Sequence, residues 1–318
     1  MAEKRDVIAQ VRVPFCVSDG ALQRDGMILG WDSARMNAYV DALVAEIEAN
    51  AGQFDDCRVR AVHLGGGVAS NAGAGVARIM RALRQTCEVA DGAPVTMRSS
   101  IANVSGATMP FFRRAGVTRF DFEMLSLNPV DFVRLNRVDN LNDLPIICDH
   151  FLHAYANDTL GLVLAFGHAA PEGEDGALNV RRSALAAARS HAVHVELVQV
   201  ADAQAAAPEE AARQLGDMRD ALTEHGFAEY LPLRFARAGH EDVFAMRTAE
   251  YLPLRFARAG HEDVFAMRTA AGAPQIGFGL GAVTRLDGAE SVNTRDLARY
   301  VASSADFAAI TDEVRAIA

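Results

Sequence analysis

The chain has 318 residues, 50% of them hydrophobic, and a formal net charge of −10 with a pI near 5.4. That is enough apolar material for one large α/β domain or two smaller ones, while the acidic balance and scattered Lys and Arg exclude the basic stripe that nucleic-acid binding requires. The N-terminus has no apolar signal core, no window approaches about 18 uninterrupted apolar residues, and four cysteines make no disulfide framework, so a cytoplasmic protein with no membrane span is expected.

Strand-like and helix-like runs alternate along the chain. Extended runs are expected at residues 8–14, 59–64, 94–97, 119–124, 160–166 and 193–200. The first helix starts from Asp32 or Ser33, both good caps, and sets Met36, Tyr39, Val40, Leu43, Val44 and Ile47 on one face. A second repeats the pattern with Val76, Ile79, Met80 and Leu83. Further helices are expected at 107–115, 129–136, 141–156, 179–190 and 208–225. Strand-then-helix units in series imply parallel strands with right-handed crossovers. A doubly wound sheet and an incomplete β/α barrel both satisfy that pattern.

Residues 228–248 read AEYLPLRFARAGHEDVFAMRT, and 249–269 repeat them without a change. Two identical copies are not a solenoid, which needs three or more units. A slip of one whole unit preserves every inward and outward side chain, so either copy can serve a sheet. The doubled His240 and His261 are therefore not read as a paired metal site. The expected division is a barrel unit over 1–227 and a C-terminal extension over 228–318 that carries the duplication.

In β/α barrels functional residues gather at the C-terminal ends of the strands. Those ends supply, in order, Cys16, then Gly65-Gly66-Gly67, Arg98-Ser99-Ser100, Glu123 and Ser126, Gly167-His168, and Ala201-Asp202. A triple glycine lets a ligand approach the backbone, and it equally suits a tight turn; both readings stay open. Gly277 and Gly279, within Gly-Phe-Gly-Leu-Gly-Ala, lack the spacing of a dinucleotide fingerprint and read as a close-approach turn. His150 and His153 stand at i and i+3 but have no partner motif. His63 reads as a core residue, and His191 and His194 as helix-end and strand-start residues. Cys57, Cys87 and Cys148 lie away from the Cys16 end and read as small buried hydrophobes.

In order, these landmarks resemble the oxygen-independent coproporphyrinogen III oxidase family of radical S-adenosylmethionine (SAM) proteins, including its heme-chaperone branch. Val13-Pro14-Phe15-Cys16 is similar to the family's His-Val-Pro-Phe-Cys entry to a Cys-x3-Cys-x2-Cys cluster loop. Leu64-Gly65-Gly66-Gly67-Val68-Ala69-Ser70 resembles its Gly-Gly-Gly-Thr-Pro-Ser segment, which in the family contacts the amino end of SAM. Ala115-Gly116-Val117-Thr118-Arg119 matches Ala-Gly-Val-x-Arg, and Leu135-Asn136-Arg137 is close to Leu-Gly-Arg. Phe235-Ala236-Arg237-Ala238-Gly239-His240-Glu241, present twice, resembles Phe-Ala-Arg-Pro-Gly-His-Glu, and residues 277–282 resemble Gly-Phe-Gly-Pro-Gly-Ala. The resemblance implies an α/β fold, a partial six-stranded parallel β/α barrel with a short C-terminal extension. It implies cofactor-binding positions at Gly65, Gly66, Gly67, Arg98, Ser126, Gly277 and Gly279.

The departures concentrate where the family's chemistry sits. Gly20 and Gln23 stand at two cluster-cysteine positions. A [4Fe–4S] cluster needs several soft thiolates, so none is expected, and Cys16 is a residual cluster position without iron. Arg12 replaces a family His, Arg98 a Glu, Leu125 a Gln and Val163 a strand Asp. The family's further C-terminal domain is expected to be missing. The expected function is a non-catalytic tetrapyrrole- or SAM-binding accessory protein of porphyrin and heme metabolism, working with an enzyme of that metabolism. Heme would need an axial donor, for which Cys16, His168 and His240 or His261 are the candidates. The alternatives are an active radical SAM coproporphyrinogen dehydrogenase with an atypical iron–sulfur site, an unrelated enzyme using Glu123, His168 and Asp202 as acid–base groups, and a purely structural or interaction protein.

Overall fold

The computed structural model describes residues 4–17, 28–135, 140–154, 160–200, 205–231, 234–237 and 272–316. Gly20, Gln23, Asn136, Arg137, Asp202, His240, His261 and most of the duplicated segment lie outside the described residues, as do the side chains of His150 and His153.

Strand β1 (Arg5–Arg12) leads through β2 (Phe15–Cys16) and β3 (Leu29–Gly30) into α1 (Ser33–Ala49). There follow β4 (Cys57–Gly65), α2 (Gly75–Thr86), β5 (Glu88–Val89), β6 (Val95–Ser99), α3 (Met109–Ala115), β7 (Arg119–Leu125), α4 (Pro129–Arg134), α5 (Asp143–Ala154), β8 (Leu160–Phe166), α6 (Gly176–Arg189), β9 (His194–Gln199) and α7 (Pro208–Glu224). The chain continues with β10 (Phe227–Leu231), β11 (Arg234–Arg237), β12 (Gln275–Phe278), β13 (Val283–Leu286), β14 (Ala289–Asn293), α8 (Leu297–Ser303), α9 (Phe307–Ile310) and β15 (Thr311–Ala316).

The six expected strands are present and parallel, and they stand in the sheet as β1-β4-β6-β7-β8-β9, their order along the chain. A doubly wound sheet reverses direction at a switch point. Here every crossover steps the same way, and right-handed connections then put the helices on one face. The arrangement is a partial β/α barrel. Among the described residues it stays open, because β9 pairs antiparallel with β11 and β1 pairs with β12.

Local chemistry explains the helix starts. Asp32 caps α1 by accepting from the Arg35 N–H at 2.8 Å. Helix α6 begins at Gly176 rather than at the expected 179, because the Asp175 carboxylate accepts from the Ala177 and Leu178 N–H groups. Along the strands, alternate residues face opposite sides. Phe120, Phe122, Met124, Leu160, Leu162, Leu164, Val195 and Leu197 join Leu43, Ile79, Phe112, Val180 and Met218 of the helices in one continuous core. Each such aromatic or aliphatic side chain contributes about 2 kcal/mol of burial.

The segment after β11 is fastened to the barrel at one buried carboxylate. Glu46 lies on the packed side of α1, 2% exposed, amid Tyr39, Leu43 and Ile47. It accepts from the Gly279 N–H at 2.8 Å, from Asn293 Nδ2 at 2.6 Å and from the Tyr300 hydroxyl. Beside it the Tyr39 hydroxyl donates to the Arg12 carbonyl at 2.8 Å and accepts from the Leu280 N–H at 2.9 Å. Burial outweighs the three hydrogen bonds and pushes the Glu46 carboxyl up to about 7.

A carboxyl whose folded-state pKa exceeds its unfolded value stabilises fully below the unfolded value and loses that contribution as pH rises through the folded one. Wild-type protein should therefore lose stability relative to Glu46→Gln between about pH 4.5 and 7, by on the order of 3 kcal/mol. Denaturant titrations of both proteins across that window test this, and parallel pH profiles would refute it.

Candidate functional site

The C-terminal ends of β1 and β4 bring three sequence landmarks together. The backbone of β2 runs against the glycine turn: the Phe15 carbonyl accepts from the Val68 N–H at 2.9 Å, and the Gly65 carbonyl accepts from the Val13 N–H at 2.6 Å. Gly66 has a φ of 87°, which L side chains rarely adopt. A Cβ at Gly67 would stand 2.6 Å from the Phe15 nitrogen and 2.8 Å from the Val13 oxygen. Gly67 is thus required by close backbone approach inside the protein. Cys16, 6% exposed, ends β2, where its carbonyl accepts from the Trp31 N–H at 3.0 Å.

Arg12 links this turn to the later glycine motif. Its side chain passes beside Gly66, where a Cβ would meet it at 3.2 Å, and its Nε donates to the Leu280 carbonyl at 3.0 Å. Gly277 packs against the Val283 backbone, and a Cβ on Gly279 would stand 2.6 Å from the Arg12 oxygen. Sequence positions more than 200 apart therefore form one layer around the end of β1.

The sheet face turned away from the helical core carries charge. Arg98 on β6 donates to Glu196 on β9 at 2.9 Å, both buried. Arg119 makes a bidentate contact with Asp121 on β7 at 2.9 and 3.2 Å. Sequence reading singled out Arg98 but missed Glu196, because the pairing spans 98 positions. Toward the strand ends the same face turns apolar: Leu125, Leu135, Val163, Ala165, Val198 and Val200 form a second, smaller core. Leu125 holds a φ of 64° at a register shift against β8. A left-handed leucine is costly, and the bulge turns its side chain into this cluster.

Two further groups sit at the rim. The Ser126 hydroxyl lies 3.0 Å from that of Ser183 on α6, apart from the Arg12 layer. His168, after β8, faces Asp131 of α4, with Nδ1 4.0 Å from Oδ1 and both side chains buried. Burial raises the Asp131 carboxyl, although the His168 and Arg134 charges oppose it, and burial lowers the His168 imidazole against the pull of Asp131. The His168 carbonyl accepts from Gln214 of α7 at 2.9 Å. Asp131 carried no signal in the sequence; only a buried carboxyl at the start of a short helix identifies it.

No protein-family model and no curated protein sequence matches the chain. Solved structures do. Coproporphyrinogen III oxidase (HemN) from Escherichia coli, a radical SAM enzyme, superposes with a TM-score of 0.79 at 16% identity, covering 100% of this chain and 73% of that chain. The chain shares the fold of that coproporphyrinogen III oxidase. AdoMet-bound anSMEcpe gives a TM-score of 0.48 at 11% identity, over 68% of this chain and 60% of that one. The FeFe-hydrogenase maturase HydG from Carboxydothermus hydrogenoformans gives 0.41 at 12%, over 69% and 51%.

Cys57 begins β4 beside Arg5 and Asp56, at the opposite strand end from Cys16. Cys87 ends α2 and Cys148 lies in α5; burial pushes these thiols up to about 12 and about 11. Among the described residues no three His, Cys, Asp or Glu side chains converge on a metal position. Cys16 is the one cysteine at this rim among the described residues. Among the described residues no helix is long and apolar enough to cross a membrane.

Gly67→Ala forces β2 off the glycine turn and should cost about 1–3 kcal/mol. Gly30→Ala, where an added methyl meets nothing within 4 Å, should stay within about 0.5 kcal/mol of wild type. Urea titration separates the two; equal stability would show that the turn is not packed this way.

Proposed function

We propose that this chain is a coproporphyrinogen III oxidase-like protein of radical SAM fold without cluster chemistry. It serves porphyrin and heme metabolism as a non-catalytic, SAM- or tetrapyrrole-binding accessory protein beside an enzyme of that metabolism. The observation that carries this reading is the donor set: a single thiol, Cys16, at the strand ends where several thiolates would be needed. The apolar cluster of Leu125, Val163 and Val198 supports it, since these side chains neither donate nor accept a proton. A SAM amino-acid end would use the backbone at Gly65–Gly67 with Arg98 and Ser126 nearby in the strand order. A tetrapyrrole would use the apolar cluster, with Cys16 or His168 as axial donor. Gly277 and Gly279 support either site indirectly, by holding Arg12.

Retention of Cys16 at the end of β2 favours one second reading, an active radical SAM enzyme that draws further thiolates from a partner chain. Iron and sulfide analysis after anaerobic reconstitution separates the two. The accessory reading expects a colourless, iron-free protein that binds SAM or hemin in calorimetric or absorbance titration. About four irons per chain with thiolate-to-iron absorption would overturn it. An iron-free protein that binds neither ligand would overturn it as well.

A further inference from the structure

Strand β15 ends the sheet. Among the described residues it pairs with β14 and with no strand on its other side. Asp312, Glu313, Val314, Arg315 and Ala316 are all exposed, and Val314, a β-branched apolar residue, is 67% exposed. An edge of this kind presents a row of backbone N–H and C=O groups able to accept another strand.

We infer that β15 is a self-association edge, and that its occupant is β15 of a second copy of this chain, paired antiparallel across a two-fold axis. Geometry limits the register. A two-fold axis normal to the sheet leaves each side chain on its own face, and directly opposed residues in an antiparallel pair share a face. The axis must therefore pass a residue that faces its own copy. Centring on Asp312, Glu313 or Arg315 sets like charges against each other. Centring on Thr311 or Ala316 leaves most of the strand unpaired.

Centring on Val314 sets valine against valine and Glu313 against Arg315 of the second copy, twice, with Asp312 opposite Ala316. Of the registers that pair most of the strand, this one alone opposes no like charges, and it covers the exposed valine. It also extends a charge ladder already in place. Arg285 pairs with Glu290 at 2.6 Å, and Glu290 pairs with Arg315 at 2.5 Å, across β13, β14 and β15 on the Glu313 face. The Glu313 side chain of the second copy adds the next alternating rung. A strand of six residues buries far less than the roughly 1,600 Å² of a standard interface, so the dimer is weak, with a Kd on the order of 10⁻⁵–10⁻⁴ M. This inference is independent of the ligand reading.

Sedimentation equilibrium of the full chain from about 5 to about 500 µM should show a monomer–dimer equilibrium that weakens at high salt. Glu313→Arg and Val314→Asp, both at exposed positions, should each leave only monomer over that range with an unchanged far-UV circular dichroism spectrum. An equimolar mixture of Glu313→Arg with Arg315→Glu restores opposite charges in the heterodimer and should associate where neither variant does alone. A wild-type chain that is monomeric throughout overturns the inference. So does a dimer that persists in both Glu313→Arg and Val314→Asp.

Discussion

Successive side chains of an extended strand point to opposite faces, and six parallel strands wound in one direction turn that alternation into two environments. One face packs against the helices through a predominantly apolar core. The other receives no helix from the crossovers and carries Arg98, Asp121, Glu196 and Arg119, each charge held against another. The location of any binding chemistry follows from that separation. Ligand-facing groups can lie only on the second face or at the strand ends where loops begin, because the first face is filled by packed side chains with no room for a polar guest.

At those strand ends, the glycines act within the protein. Gly67 admits the backbone of β2, and Gly279 admits the Arg12 carbonyl. The two motifs meet through Arg12, so the glycine turn, β2 and the C-terminal turn form one mechanical unit. Leu125 and Val163 lie on the second sheet face in a dry apolar cluster that the strained backbone at Leu125 helps to close.

The same unit explains how the C-terminal segment holds. Strand β12 supplies only four residues of pairing to β1, too few to be secure by itself. Glu46 adds three hydrogen bonds from three different points of that segment, in a setting where burial raises the cost of leaving any of them unmade. The segment then offers its own last strand, β15, at the outer edge of the sheet.

Much of the fold was legible in the sequence. The positions of the six parallel strands, the face of α1 and a cap at Asp32 or Ser33 follow from local periodicity and side-chain chemistry, which act within a few residues and so are written in neighbouring letters. Of the two caps, the structure uses Asp32. The resemblance carried by residues 13–16, 64–70 and 277–282 anticipated a partial barrel. Residues alone left a doubly wound sheet open, because strand order is a long-range property. The pairings that define the candidate site stayed hidden for the same reason: Arg98 with Glu196, His168 with Asp131, and Glu46 with Gly279, Asn293 and Tyr300. None of these partners is marked by spacing, since each is brought in by a different crossover or by the segment that β12 joins to β1. The sequence by itself determined the six parallel strands, the helices between them and which thiols and glycines are available, but not the strands β10 to β15 or the helices α8 and α9. Only the tertiary structure decided which of them meet, because burial and hydrogen bonding depend on neighbours in space and the crossovers choose those neighbours.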